Sequence, residues 1–168
     1  MRTVSRLILL FTILGASFAM AAWRQATQTE LTAIIPARAP VEKEHIETEF
    51  RSASGITNGK GKFIAGVVLI TAGYAAEGKY SNFLIVQSPI KIDAVTLGSG
   101  EYVFGWRRKN DDSLEVKFYD AHSGQFLGDV EARRSSRTGR IESFKISPPH
   151  EKSLIEIGRF GMSYVLAE

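Results

Sequence analysis

Glu101-Tyr102-Val103-Phe104-Gly105-Trp106-Arg107-Arg108-Lys109, then Asn110-Asp111-Asp112, then Ser113-Leu114-Glu115-Val116-Lys117-Phe118 spell two strands and the turn between them. Tyr102, Phe104 and Trp106 fall on one side of an extended chain, and Leu114, Val116 and Phe118 do so again after the turn. A two-residue period is that of a strand, whereas a helix would place its apolar residues three and four apart. Asn and Asp reverse the chain between the runs because their short side chains hydrogen-bond nearby backbone. A hairpin with one apolar face needs further strands to cover that face.

The same grammar continues on both sides. Downstream, Gly128, Val130 and Ala132 alternate, followed by Phe144 and Ile146, with His122-Ser123-Gly124 and Ser136-Arg137-Thr138-Gly139 as turns. Upstream, residues 63–71 and 83–86 are continuous apolar runs, the pattern of strands buried on both faces. Ser54-Gly55 and Asn58-Gly59-Lys60-Gly61 read as turns, and residues 41–50 as a strand in which Ile46, Thr48 and Phe50 alternate. Near the C-terminus Ile155 and Ile157 keep one parity and Phe160, Met162, Tyr164 and Leu166 the other, so a bulge or kink is expected at Gly158 or Gly161. No segment carries a sustained helical period. Eight or nine short strands joined by turns define an all-β domain, an antiparallel β-sandwich or, as the alternative, a small β-barrel.

A chain of 168 residues has room for one such domain and a leader. Arg2 and Arg6, the apolar run at 7–14 and the small residues Ala19-Met20-Ala21 follow the order of a signal peptide, with cleavage expected after Ala21. The alternative is an uncleaved N-terminal membrane anchor, which Gly15, Ala16, Ser17 and Ala19 weaken. Residues 22–44, rich in Ala, Thr, Gln, Pro and Arg, read as a mostly extended linker with one short helical turn, and residues 45–168 as the all-β domain. The expected destination is secreted or periplasmic. The formal charge of +3 falls to +1 once Arg2 and Arg6 are removed, which gives no support for a specific nucleic-acid partner. The absence of cysteine excludes a disulfide framework, a thiol nucleophile and cysteine-ligated metals.

Motifs that could carry chemistry are incomplete. Gly73-Tyr74-Ala75-Ala76-Glu77-Gly78-Lys79 has the spacing of a phosphate-binding loop, but Tyr80 stands where Ser or Thr would hold magnesium and a strand follows where a helix is required. His45 lies among Glu42, Glu44, Glu47 and Glu49, a single acidic run that cannot close a metal shell, and His122 and His150 share no spacing with it. There is no G-x-S-x-G elbow, and Asp111, Asp112 and Asp120 sit where turns need them. No catalytic residue, metal site or cofactor is therefore expected.

Leu97-Gly98-Ser99-Gly100-Glu101-Tyr102 resembles the L-x-x-G-x-Y hairpin of small secreted bacterial β-proteins of no known activity. The resemblance implies an exported or envelope β domain and transfers no catalytic residue. Two binding readings remain ahead of a hydrolase. In the first, residues 101–109, 113–120, 125–134 and 140–147 form an up-and-down meander, so the first and third strands finish side by side, two strand spacings of about 5 Å apart. Arg107, Arg108, Lys109, Arg133, Arg134, Arg137 and Arg140 then gather at one end of the sheet, opposed locally by Asp111 and Asp112. That end suits an anionic polymer, a membrane surface or an acidic protein; the competing role for such charge is protection of strand ends. In the second reading, Tyr102, Phe104, Trp106 and Phe118 line a barrel or cleft that carries a small apolar ligand.

Overall fold

The computed structural model describes residues 22–136 and 138–167. The expected signal peptide, residues 1–21, lies outside them, as does Arg137. The N-terminal part comprises β1 (Arg24–Gln25), α1 (Gln28–Ile34), β2 (Arg38–Val41), β3 (Glu44–Thr57) and β4 (Phe63–Leu69). Next come α2 (Gly73–Ala76), β5 (Asn82–Val86), β6 (Ile90–Ile92) and β7 (Val95–Leu97). The remainder is β8 (Gly100–Asn110), β9 (Ser113–Asp120), β10 (Phe126–Arg134), β11 (Phe144–Ile146), β12 (Leu154–Ile157) and β13 (Phe160–Leu166).

The all-β antiparallel fold expected from the alternation is present, in a sheet that curls until it is nearly closed. Its strand order is β1-β3-β4-β5-β8-β9-β10-β13-β12-β11, with β2 on β3, β6 on β13 and β7 on β6. The last strand, β11, comes back against β3, where the Ile146 N–H donates to Ser54 Oγ at 3.0 Å. Inside the barrel, residues of one parity from nearly every strand form a single core around Phe104, Phe118 and Phe144. The hairpin of β6 and β7 tucks Ile90, Ile92, Val95 and Leu97 into that core at the end where β13 finishes. The opposite end, where β8 and β10 finish and β13 begins, is the open one.

A second core lies outside the barrel. The continuous apolar runs of β4 and β5 are buried on both faces, as their composition predicts: Ile64 and Leu84 point into the barrel, while Val67, Phe83 and Ile85 point outward. Their outer faces are covered by Leu31, Ile35, Ala39 and Val41. Residues 22–44 are thus an integral layer of the domain and not the linker expected. Leu31 and Ile35, one helical turn apart, face the sheet, and the helix is started by a capping box. The Thr27 N–H donates to Glu30 Oε2 at 2.8 Å while the Glu30 N–H donates to Thr27 Oγ1 at 3.3 Å. Arg24 adds a bidentate pair to the same carboxylate at 2.7 and 2.9 Å.

Arg24 and the Thr27 backbone hold the Glu30 carboxyl down at about 2, against an ordinary value of 4.5. A depressed carboxyl stabilises the fold fully above its ordinary value and loses that contribution as pH falls through the folded value, here from about 4.5 toward about 2. The Glu30 side-chain carbon resonance is expected to titrate near pH 2, and Arg24→Ala to move that midpoint upward. An unshifted midpoint in the wild type would remove the box and its arginine clamp as a unit.

Other departures from the sequence reading have local causes. The strand count is thirteen among the described residues, because the two- to four-residue strands β1, β2, β6 and β7 are too short to display a period. Ser54-Gly55 is not a turn but lies inside β3, beyond an irregularity between Glu49 and Ser54. There Ser52 Oγ accepts the Val68 N–H at 2.9 Å, so a side chain replaces part of the broken ladder. The expected fourth meander strand is not beside β10: that place belongs to β13, and β11 is two strands further on. The parity break near the C-terminus is resolved by a hairpin turn at Gly158-Arg159, with Ile157 paired to Phe160, and not by a bulge. Gly98-Ser99 is likewise a corner between β7 and β8, which are not paired to each other, with the Tyr102 hydroxyl donating to Gly98 O at 2.9 Å.

Candidate functional site: the open end of the barrel

Strand pleat decides what the basic residues do. Along β8, Phe104, Trp106 and Arg108 share the inward parity, while Gly105, Arg107 and Lys109 face out; along β10, Val130, Ala132 and Arg134 face in, while Glu131 and Arg133 face out. The gathering of Arg107, Arg108, Lys109, Arg133 and Arg134 across β9 is therefore present, but split into two faces. On the outer face the cations are occupied. Lys109 reaches Glu131 at 2.8 Å, Arg133 reaches the same carboxylate at 3.3 Å, and Arg107 donates to the Glu77 carbonyl at 2.9 and 2.5 Å. Lys109 lowers the Glu131 carboxyl below its ordinary value and is itself raised by that carboxylate.

On the inner face the arrangement is different. The guanidinium carbons of Arg108 and Arg134 each lie 5.6 Å from the centre of the Phe160 ring, a cation–π distance. The nearest carboxylates are Asp111, 3.9 Å from Arg108, and Asp112, 4.0 Å from Arg134, and their side chains are 99% and 89% exposed. Arg159, carried by the β12–β13 turn, joins them and has no ion-pair partner among the described residues. These three arginines border a recess of about 360 Å³ whose apolar wall is Trp106, Leu114, Ile157 and Phe160. Leu114, Ile157 and Phe160 belong to the barrel core, whereas Trp106 is 37% exposed. Arg159 is not among the cations expected at this end, because a bulge at Gly158 would leave it within a strand; a parity change directly after a Gly-Arg pair is the signal for a hairpin. Arg140 lies apart, in the connection before β11, where it borders a small recess with Glu142, Glu156 and Gly158 and a larger one, of about 520 Å³, with Glu49, Arg51 and Glu142. Arg137 is outside the described residues.

The aromatic set expected of an apolar-ligand carrier does not line one cavity: Tyr102, Phe104 and Phe118 lie in the packed core. Phe104 and Phe118 are fully buried and pack on each other with ring centres 5.2 Å apart, and Phe104 packs on Phe144 at 6.1 Å. Tyr102 is spent on its corner, and Trp106 alone of the four borders the open recess.

The remaining motifs have structural employment. Gly73–Ala76 is a single helical turn lying over the outer face of β8; a side chain at Gly105 would place its Cβ 2.3 Å from the Lys79 carbonyl, so only glycine admits this approach. Tyr80 is fully buried between Tyr74 and Tyr119, and its hydroxyl donates to the Glu42 carboxylate. Burial first and that carboxylate second push its ionisation well above the ordinary phenol range, so it stays a donor. Asp120 accepts from the His122 and Ser123 N–H groups at 3.1 and 2.8 Å, which holds it below its ordinary value, and His122 Nε2 sits 2.9 Å from Glu101. Among the described residues no three acidic or histidine side chains converge to hold a metal, and no helix is long and apolar enough to cross a membrane.

The fold and this end together define a nearly closed antiparallel β-barrel with an outer N-terminal layer and an arginine-bordered recess at one end. No protein-family model, curated protein or solved structure matches the chain.

Proposed function

We propose that this chain is an exported, non-catalytic binding module that engages an anionic partner at the open end of its barrel. The observation that carries the reading is the convergence of Arg108 and Arg134 on Phe160, with Arg159 bordering the same recess and no carboxylate of the described residues closer than 3.9 Å. Ion pairs at that range between exposed side chains contribute about 0–1 kcal/mol, so they compete weakly with an incoming ligand. Phosphate, sulfate and carboxylate match the planar fork of arginine bidentately, and a partner bearing them gains two hydrogen bonds per guanidinium. Residues that would otherwise suggest hydrolysis are engaged in turns and ion pairs. Export rests on the order of residues 1–21 and on the likeness of the segment at 97–102 to secreted β-proteins.

The test is retention of the chain from Ala22 onward on heparin resin, and on vesicles of phosphatidylglycerol against phosphatidylcholine, at low ionic strength. Salt-sensitive retention is expected, and Arg108→Glu with Arg134→Glu should abolish it, because each change both removes a cation and adds a repelling charge. Lys109→Glu should have the smaller effect, since Glu131 already neutralises that lysine. No retention on either matrix, or equal losses from the inner and outer substitutions, would overturn the reading. Which matrix retains the protein separates an anionic polymer from a membrane surface.

A further inference from the structure

The open end is more than a charged rim, because the three guanidinium groups surround an apolar hollow. We infer that the recess is a site for a single-headed anionic amphiphile: a carboxylate held by Arg108, Arg134 and Arg159, with its apolar body laid against Trp106, Leu114, Ile157 and Phe160. The inference rests on the reading of this end as an anion-binding site and adds the class of ligand.

Three observations point the same way. First, the wall is mostly carbon, and an exposed tryptophan beside buried Leu114 and Ile157 leaves apolar surface that a hydrated polymer would not desolvate. Covering it returns roughly 25 cal/mol for each Å² removed from water. Secondly, the guanidinium groups of Arg108 and Arg134 both lie at cation–π distance from the one Phe160 ring, which brings two like charges to the same border of the recess before any ligand arrives. A single carboxylate at that border offsets their repulsion, which is preorganisation for one head and not for a string of charges. Thirdly, size selects. A recess of about 360 Å³ lies at the lower end of ligand sites, which span roughly 300–1,000 Å³. That space accepts one short chain or a flat ring system, whereas a diacyl lipid would leave most of its tails in water. The hollow does not continue inward, because Phe104, Phe118 and Phe144 fill the barrel beneath it.

The chain has two tryptophans, Trp23 and Trp106, so a Trp23→Phe variant reports from the recess alone. Titration of that variant with decanoate is expected to give a saturable change in tryptophan emission. Decanol, which lacks the charge, and decyltrimethylammonium, which reverses it, should bind at least about tenfold more weakly. Arg134→Met, which keeps the stem and removes the charge, should weaken decanoate about tenfold while leaving the far-ultraviolet circular dichroism unchanged. A Leu114→Gln variant, polar in the wall, should weaken decanoate and decanol together. Decanol binding as tightly as decanoate would overturn the inference, since the arginines would then play no part. Retention on heparin or anionic vesicles without any saturable decanoate response would also overturn it, and would leave the broader reading of an anion-binding end standing. Loss of both responses would remove the two together.

Discussion

Removing residues 22–43 is expected to abolish soluble folding, although the strands that close the barrel all lie after the cut. The segment covers the outer faces of β4 and β5, where Val67, Leu69, Phe83 and Ile85 are buried together with Tyr80. Fully burying a Leu, Ile or Val side chain contributes about 1.5–3 kcal/mol. Leu31, Ile35 and Val41 alone therefore amount to a large share of the roughly 5–15 kcal/mol by which a whole domain is stable. The loss also has a kinetic side: two adjacent strands bearing apolar residues on both faces would be left open to other chains. Cutting at Glu44 further removes Glu42, the acceptor of the buried Tyr80 hydroxyl. Expression of the chain from Glu44 beside the chain from Ala22 is the measurement. Aggregated product without a cooperative melting transition is expected; a soluble truncated protein melting within about 5 °C of the longer one would show that the N-terminal layer is dispensable.

The position of that layer marks where the sequence stopped being legible. Strands β4, β5, β8, β9 and β10 could be read directly, because an alternating or continuous apolar run is dictated by which faces are covered. Burial of β4 and β5 on both faces was legible too, and it required something to lie outside the sheet. The covering segment resembles a linker in sequence because it contributes few apolar residues, spread over a helix and a short strand. Its start was nevertheless written in Thr27-Gln28-Thr29-Glu30, a capping box immediately before Leu31. Long-range pairing was the other blind spot. Nothing local distinguishes β11 from β13 as the neighbour of β10, since both are short runs after a turn; the choice is made by closure of the whole sheet.

The open end illustrates the same division. Parity and strand direction were enough to bring the ends of β8 and β10 to one place, and they also sort the cations into two faces once the inward residues are known. Glu131, between Ala132 and Val130, faces outward with Lys109 and Arg133 and pairs with both, offsetting one of the two positive charges, a consequence of period two that net-charge reasoning overlooks. Phe160 reached the site only because β13 pairs with β10. Trp106 was assigned to an aromatic cluster on parity that is correct, but depth along the strand separates it from Phe104: two residues further on, the inward face has reached the barrel mouth.

Phe144→Ala is expected to lower the melting temperature more than any single change at the open end. Among the described residues strand β11 has a backbone ladder only on its β12 side, and towards β3 it offers one hydrogen bond, from the Ile146 N–H to Ser54 Oγ. Closure on that side therefore depends on side-chain packing, and Phe144 is the large buried ring there. It reaches Phe104 across the core and lies over Gly66, where an added Cβ would come 2.8 Å from the ring edge. Deleting such a ring costs about 3–5 kcal/mol, and at roughly 2–4 °C per kcal/mol for a domain of this size the transition should fall by on the order of 10 °C. Gly66→Ala attacks the same contact from the other side and should cost about 1–3 kcal/mol through overpacking. The two changes are not independent. With the ring gone the new methyl loses its main obstacle, although the Phe83 carbonyl, also 2.8 Å away, remains. The double variant should thus be more stable than the sum of the two losses by at least about 0.5 kcal/mol. Strict additivity in denaturant titrations would mean that Phe144 does not occupy the space above Gly66, and the barrel would have to be held shut on that side by something other than this ring.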